Sequence, residues 1–297
     1  MINTLPRLAV VGIGRLSYPM VVRLRRAGHA VTVNNRTRER ALAVAAATGA
    51  EVADSPRAAA ETADIVIVSL ADDAAVREVY HGPDGLLAGI RPRTTILETS
   101  TIAPHTITAL VPHVLERGAV LLDTPVSGSV ELAARGELTL LVGGPKEALD
   151  NVRPVVDVLA TRVLRFEESG QGSIMKLVIN SLLLSLGAAV AESLVLAERA
   201  GIDRADAYDA FTQSAAAAPF VQYNRENFVR PHEATMHMTL ALVAKDLALV
   251  DELASSVGAP MAQLRTTRGL VQQAITAGLG DQDGSVLAEY LRRNATA

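Results

Sequence analysis

Seven short runs of apolar and β-branched residues punctuate the first 170 positions: Leu8–Val11, Ala30–Val33, Asp64–Leu70, Thr94–Glu98, Ala119–Asp123, Leu138–Val142 and Val163–Phe166. Between them the apolar positions recur every three to four residues, which predicts helices over Pro19–Ala27, Arg38–Ala47, Asp73–Tyr80, Pro104–Arg117 and Lys146–Leu159. Strand and helix in alternation predict a doubly wound parallel α/β sheet whose ligands sit beyond the carboxyl ends of the strands. After Gly170 the strand pattern stops. Leu177–Ala200, Arg204–Thr212, Leu240–Val257 and Pro260–Thr276 carry helical spacing, Ala215–Ala218 marks a bend, and the Gly- and Asp-rich Gly278–Gly284 reads as a loop before a last short helix. The predicted architecture is an α/β domain over 1–168 and an all-helical domain over 169–297, joined by a long interdomain helix.

Composition sharpens this picture. The chain has 297 residues, 49% hydrophobic but only 3% aromatic, so its core is built from Ala, Val, Leu and Ile, as suits parallel strands covered by helices. The formal net charge is -4 and no long basic run occurs, which argues against nucleic acid or an anionic membrane as partner. Cysteine is absent, excluding disulfides, thiolate catalysis and cysteine-liganded zinc, and the six histidines show no metal-binding spacing, so no metal is expected. No basic, apolar leader precedes Leu8, and the uncharged stretch Leu177–Ala191 is shorter than the ~20 residues of a bilayer span. A cytoplasmic protein with no membrane segment is expected. The apolar helix starting at Leu177 exceeds what one small helical domain covers, so a homodimer or homotetramer is expected.

Candidate chemistry begins at the first strand, closed by Gly12-Ile13-Gly14-Arg15-Leu16-Ser17 and followed by a helix start. Unpaired N–H groups and the helix dipole attract phosphate there, and the pattern is a dinucleotide fingerprint with Ser17 in place of the third glycine. The second strand ends in Asn34-Asn35-Arg36-Thr37 with no acid to hold a ribose 2′-hydroxyl, which favours the 2′-phosphate of NADP; the plainer reading makes Arg36 a solvated turn residue. Ser69-Leu70, Ser100-Thr101-Ile102 and Pro125–Ser129 stand at later strand ends and are candidates to line one crevice, although hydroxyls there also serve as helix caps. Gly170-Gln171-Gly172 then opens the long helix, on which Lys176 and Asn180 fall on one face. Lys176 either snorkels to solvent or sits at a dry edge, where a lowered pKa lets it trade protons near neutrality.

Taken in order, these segments resemble the β-hydroxyacid dehydrogenase family over nearly the whole chain. The match rests on Gly12–Ser17, Asn35-Arg36-Thr37, Ser100-Thr101-Ile102-Ala103-Pro104, Asp123-Thr124-Pro125-Val126-Ser127-Gly128-Ser129 with Gly136, Gly170-x-Gly172-x3-Lys176-x3-Asn180, and Lys245-Asp246-Leu247. The resemblance implies a Rossmann domain that binds NADP through Gly12, Gly14, Arg15, Leu16, Asn35, Arg36, Thr37, Ser69, Leu70, Ser100 and Thr101. It implies hydride transfer between nicotinamide and a small β-hydroxyacid or semialdehyde, with Lys176 as general acid and base and Asn180 holding the substrate and orienting the lysine. Ser127, Gly128, Ser129 and Met238 would meet the substrate, and Lys245 and Asp246 would close over cofactor and substrate. The chain departs from the family at Ser17, at Ile179 and Ser181 beside Asn180, at Ser129 and at Met238. Arg230, His232 and His237 read either as surface residues or as a substrate-anion site. The rival readings are an imine reductase on the same scaffold and a non-catalytic NADP-binding module, and the Lys176 and Asn180 pair counts against both.

Overall fold

The computed structural model describes residues 5–295. It divides into two compact units, 1–176 and 177–297, so the division falls inside the long helix rather than at 168/169, where the change in hydrophobic pattern sets it.

The first unit is built on nine strands: β1 Leu8–Val11, β2 Val31–Asn34, β3 Glu51–Val52, β4 Ile65–Val68, β5 Thr95–Glu98, β6 Val120–Asp123, β7 Val126–Ser127, β8 Leu138–Gly143 and β9 Ala160–Phe166. Their helices are α1 Ser17–Arg26, α2 Arg38–Thr48, α3 Pro56–Thr62, α4 Asp73–His81, α5 Leu86–Gly89, α6 Pro104–Leu115, α7 Val130–Arg135 and α8 Lys146–Leu159. The strand order is β3-β2-β1-β4-β5-β6-β8-β7, with β9 beside β8. From β3 to β6 every neighbour is parallel, so the carboxyl ends of these strands share one edge. The winding direction changes on either side of β1, the switch point at which doubly wound sheets bind ligands. β1 and β4 are apolar throughout because both of their faces are covered. One face packs Met20, Val21, Leu24, Val155 and Val156, the other Tyr80, Leu86, Ile107 and Leu110.

Two features depart from the sequence expectation. β8 runs antiparallel to β6 and β7, because the connection through β7 and α7 is too short for a parallel crossover. β3, α3, α5, β7 and α7 were not anticipated; at two to seven residues they are too short for a period to show. The capping chemistry was nevertheless present. Ser55 accepts the Ala58 N–H ahead of Pro56 at the first turn of α3.

α9, Gln171–Arg199, starts in the first unit and continues into the second, whose other helices are α10 Arg204–Gln213, α11 Pro219–Tyr223, α12 Arg225–Val229, α13 Leu240–Val257, α14 Ala262–Ala274 and α15 Leu287–Asn294. α13 has the predicted limits: Thr239 caps it by accepting the Leu242 N–H, and Gly258 ends it at φ 68. Glu198 on α9 is held by Arg204 of α10 and by Arg292 of α15 at 2.7–2.9 Å, tying three helices together. At 29 residues α9 is long and apolar enough, by length and composition alone, to cross a membrane, which corrects the expectation drawn from Leu177–Ala191. Its apolar residues divide by face. Leu177, Leu184, Ala191 and Leu194 are buried, whereas Val178, Leu182 and Leu196 form an exposed stripe in which Leu182 is 74% exposed.

Candidate functional site

At the switch point Gly12 adopts φ +92, and a Cβ on it would lie 2.1 Å from the Ser69 carbonyl oxygen. Only glycine lets the end of β1 approach the end of β4 this closely. The turn is then locked from three sides. Gly12 N–H donates to the Asn34 carbonyl at 2.9 Å, and Ile13 N–H donates to Asn35 Oδ1 at 2.9 Å. Ser17 Oγ accepts the Gly14 N–H at 2.7 Å and donates to the Gly12 carbonyl at 2.8 Å. The serine that departs from the glycine fingerprint is therefore a buried clip across the turn, not merely a small side chain between helix and strand. Asn35 likewise belongs to the turn, because its Nδ2 donates to the Thr37 carbonyl at 2.9 Å.

Gly14, Arg15, Arg36 and Thr37 are exposed along this edge, and Leu16 supplies no side-chain cap to the start of α1. A Cβ at Gly14 would meet only Ser17 Oγ, at 3.9 Å. An uncapped helix start beside an open glycine fits a phosphate ester, so these residues suit the pyrophosphate of a dinucleotide.

The next strand ends hold two buried carboxylates that sequence reasoning missed as functional groups. Glu98 closes β5 and Asp123 closes β6, and the two are register partners on adjacent parallel strands. Glu98 accepts from the Tyr80 hydroxyl at 3.0 Å and from the Ser100 N–H at 3.0 Å, and Ser100 Oγ accepts the Leu70 N–H at 2.8 Å. Burial pushes the Glu98 carboxyl up to about 7; the hydrogen bonds from Ser100 and Tyr80 act downward, and the charge of Asp123 adds to the rise. Asp123 is raised to about 6, again chiefly by burial, against the hydrogen bonds from Ser173, Gly170 and Gly172. A signal existed in the sequence, since each acid terminates an otherwise apolar strand. Ser100 and Leu70, expected at the cofactor, bond to each other, while Thr101 is half-buried.

Asp123 fixes the start of α9. Its Oδ2 accepts the Ser173 N–H at 2.8 Å and its Oδ1 accepts the Ser173 hydroxyl at 2.7 Å. A Cβ on Gly172 would fall 2.4 Å from the Leu141 carbonyl oxygen, so the glycine is what allows the helix to begin against the sheet. Lys176, half-buried, follows Ser173 by three residues, and Asn180 lies one turn further along α9. In the second unit Asn180 is buried and donates from Nδ2 to Asp246 Oδ2 at 2.7 Å, and Lys245 Nζ stands 2.8 Å from Asp246 Oδ1. Asp246, expected to reach the cofactor, is itself buried and anchors Asn180.

Of the predicted substrate residues, Ser127 is half-buried and Gly128 exposed, with φ +146. Ser129 is buried and caps α7 by accepting the Leu132 N–H at 3.3 Å, so the departure from glycine there has a structural cause. Met238 is half-buried, its N–H donating to Asp283 at 3.3 Å. His237 bonds Asn224 Oδ1 through Nδ1 at 3.0 Å, whereas Arg230 pairs with Glu226 at 2.7 Å and His232 is exposed. Among the described residues no cluster of His, Asp and Glu could hold a metal ion.

Residues 7–167 match the family model described as the NAD binding domain of 6-phosphogluconate dehydrogenase, and residues 170–291 that described as NAD-binding of NADP-dependent 3-hydroxyisobutyrate dehydrogenase. The NAD-dependent L-serine dehydrogenase of Pseudomonas aeruginosa is 32% identical, with 95% of this chain and 96% of that one covered. Among solved structures, the 3-hydroxyisobutyrate dehydrogenase of Salmonella typhimurium superposes with a TM-score of 0.88 at 27% identity, over 96% of this chain and 99% of that one. Psf3 in complex with NADP+ and 2-OPP has the same TM-score, 0.88, at 26% identity, over 96% of this chain and 99% of that one.

The raised Glu98 carboxyl has a consequence for stability. In the unfolded chain it loses its proton near 4.5, while in the fold it keeps it to about 7. Folding therefore takes up a proton in that window, and stability falls as pH rises through it. Glu98→Gln removes this dependence. Relative to the parent protein, its Tm should gain about 3 °C or more between pH 5 and pH 8. Differential scanning calorimetry at the two pH values checks this, and a gain independent of pH would show that Glu98 is ionised throughout.

Proposed function

Because the chain belongs to the β-hydroxyacid dehydrogenase family, we propose that it reduces a small semialdehyde or keto acid, and oxidises the matching hydroxyacid, using NADP(H) and Lys176. The carrying observation is the construction of the start of α9. A buried carboxylate fixes the first turn, Lys176 follows in a half-buried position, and Asn180 is anchored one turn later by Asp246. A surface lysine with no task needs no such support.

When bound, the nicotinamide supplies or accepts the hydride. As hydride reaches the carbonyl carbon, the carbonyl electron pair moves to oxygen, and Lys176 Nζ gives that oxygen a proton, yielding the hydroxyacid; oxidation reverses each transfer. With its N–H committed to Asp246, Asn180 offers its amide oxygen to the lysine or to the substrate hydroxyl. Asp246 and Lys245 thus act as positioning residues. Ser127 and the backbone at Gly128 take the substrate carboxylate, in keeping with the carboxylate of L-serine, the substrate in the Pseudomonas aeruginosa relative's name. Met238 contributes the apolar wall of the pocket.

NADP is preferred over NAD because Arg36 stands exposed just past β2, where no carboxylate is present to repel a 2′-phosphate. The NADP+ complex of Psf3 supports this reading, and the NAD dependence of the L-serine relative is its rival. The lysine disfavours an imine reductase, and the anchored Asn180 disfavours a silent module. The exposed stripe of α9 supports a cytoplasmic homodimer or homotetramer that buries Val178, Leu182 and Leu196.

Lys176→Ala should lower kcat with a short semialdehyde by about 10²–10⁴-fold while NADPH binding, read by fluorescence, holds. Unchanged turnover would remove the proposed proton donor. Arg36→Ala should weaken NADPH about tenfold or more and NADH little, since a charge-assisted contact to the 2′-phosphate is lost. Equal losses for both cofactors would reject the NADP assignment. Light scattering should give a mass of at least twice the chain, and a monomer would dismiss the proposed assembly.

A further inference from the structure

The proton donor of the proposed reaction sits on a helix whose first turn is held by a carboxylate, and that carboxylate has a second one beside it. Asp123 and Glu98 occupy partnered positions at the ends of β6 and β5, and both are buried. Their surroundings differ in kind. Asp123 faces the opening turn of α9 with the Ser173 N–H and hydroxyl, and with the backbone N–H groups of Gly170 and Gly172. These donors and the helix dipole favour a negative charge there. Glu98 faces the Tyr80 hydroxyl from α4 and the Ser100 N–H after β5, and Ser100 Oγ in turn receives the Leu70 N–H at the end of β4. Two neighbouring buried carboxylates with no counterion between them resist being ionised together.

We propose that Glu98 and Asp123 share one negative charge, that its residence on Asp123 fixes the first turn of α9 and hence the Lys176 amine, and that Glu98 is the partner that sets when Asp123 holds it. Both are positioning residues. The proton that Glu98 keeps near neutrality is the one that leaves Asp123 free to ionise, and acidification through about 6 protonates Asp123 itself. The Ser173 hydroxyl and the three backbone N–H groups then lose their anionic acceptor, and the start of α9 loosens. At the other end of the pair, a negative Glu98 at higher pH competes with Asp123 for the single charge. Strand register, three residues of helix and two carboxylates thereby make the proton donor's orientation depend on a group that never meets the substrate.

The inference rests on Lys176 acting as the proton donor, and two measurements keep it separable from that reading. The first is the pH profile of kcat for semialdehyde reduction with saturating NADPH. The second, independent of turnover, is amide hydrogen exchange of the 170–176 segment against pH, corrected for intrinsic exchange. In the parent protein, protection of Gly172 and Ser173 should fall on acidification through about pH 6. In Glu98→Gln the competing charge is gone, so both the exchange transition and the acid limb of kcat should move down by about one pH unit. Asp123→Asn should abolish the transition and lower kcat at least about tenfold with NADPH affinity held, as expected when an aligned proton donor is lost. Transitions at the same pH in Glu98→Gln and parent overturn the shared charge even if Asp123→Asn does not fold. A moved exchange transition with an unmoved kcat limb rejects the link to Lys176 and overturns the proposal. Exchange behaving as expected in a protein that reduces no semialdehyde or keto acid would reject the function while leaving the coupling of the carboxylates to the helix established.

Discussion

A carboxylate sealed away from water is tolerable only where hydrogen-bond donors surround it, and at the end of β6 they come from the first turn of the longest helix in the chain. Asp123 takes the Ser173 amide and hydroxyl, so the desolvation of its charge is offset by groups that would themselves be orphans at a helix start. The interaction serves both partners. It also converts the sheet, whose strand ends are fixed by register, into the reference frame for a helix entering the second unit. Glycines at 170 and 172 are the steric counterpart of this contact. A Cβ at Gly172 would press on the Leu141 carbonyl, and Gly170 turns at φ +92.

A similar economy governs the other end of the first unit. The β1 turn approaches β4 so closely that Gly12 has no room for a side chain, and its remaining polar groups are tied to Asn34, Asn35 and Ser17. What stays exposed is one edge, Gly14 to Arg15 and Arg36 to Thr37, beside a helix start without a side-chain cap. Anion affinity at that edge is a property of the backbone, and arginine only tunes which anion is preferred.

The long elements were legible because length makes a period visible. α8 and α13 have the limits their apolar spacing gives, and the seven predicted strands are present within a few residues. The short α3, α5 and α7 escaped notice, as did the reversal at β8, since periodicity carries no direction. At the site, the residue types that carry chemistry could be picked out, but how each is used could not. Ser17, Asn35 and Ser129 read as ligand-facing residues in the sequence and turned out to be a clip, a turn brace and a helix cap. Each is a short polar side chain near a helix start or tight turn, where backbone partners lie nearer than any ligand. Asp123 and Glu98 escaped attention for the opposite reason: an acid at the end of an apolar strand looks like the strand's boundary, and burial is invisible until neighbours are known.

The clip formed by Ser17 changes what binding a dinucleotide demands of this protein. A glycine at that position leaves the turn free to sample several shapes, and ordering it falls to the binding event. Here a single hydroxyl, receiving from one glycine and giving to the other, settles the shape when the chain folds. The entropy of loop ordering is thus charged to folding and not to association. A preorganised turn of this kind admits its guest as a lock admits a key, with little rearrangement, and favours a modest heat-capacity change on saturation over the large one of coupled folding.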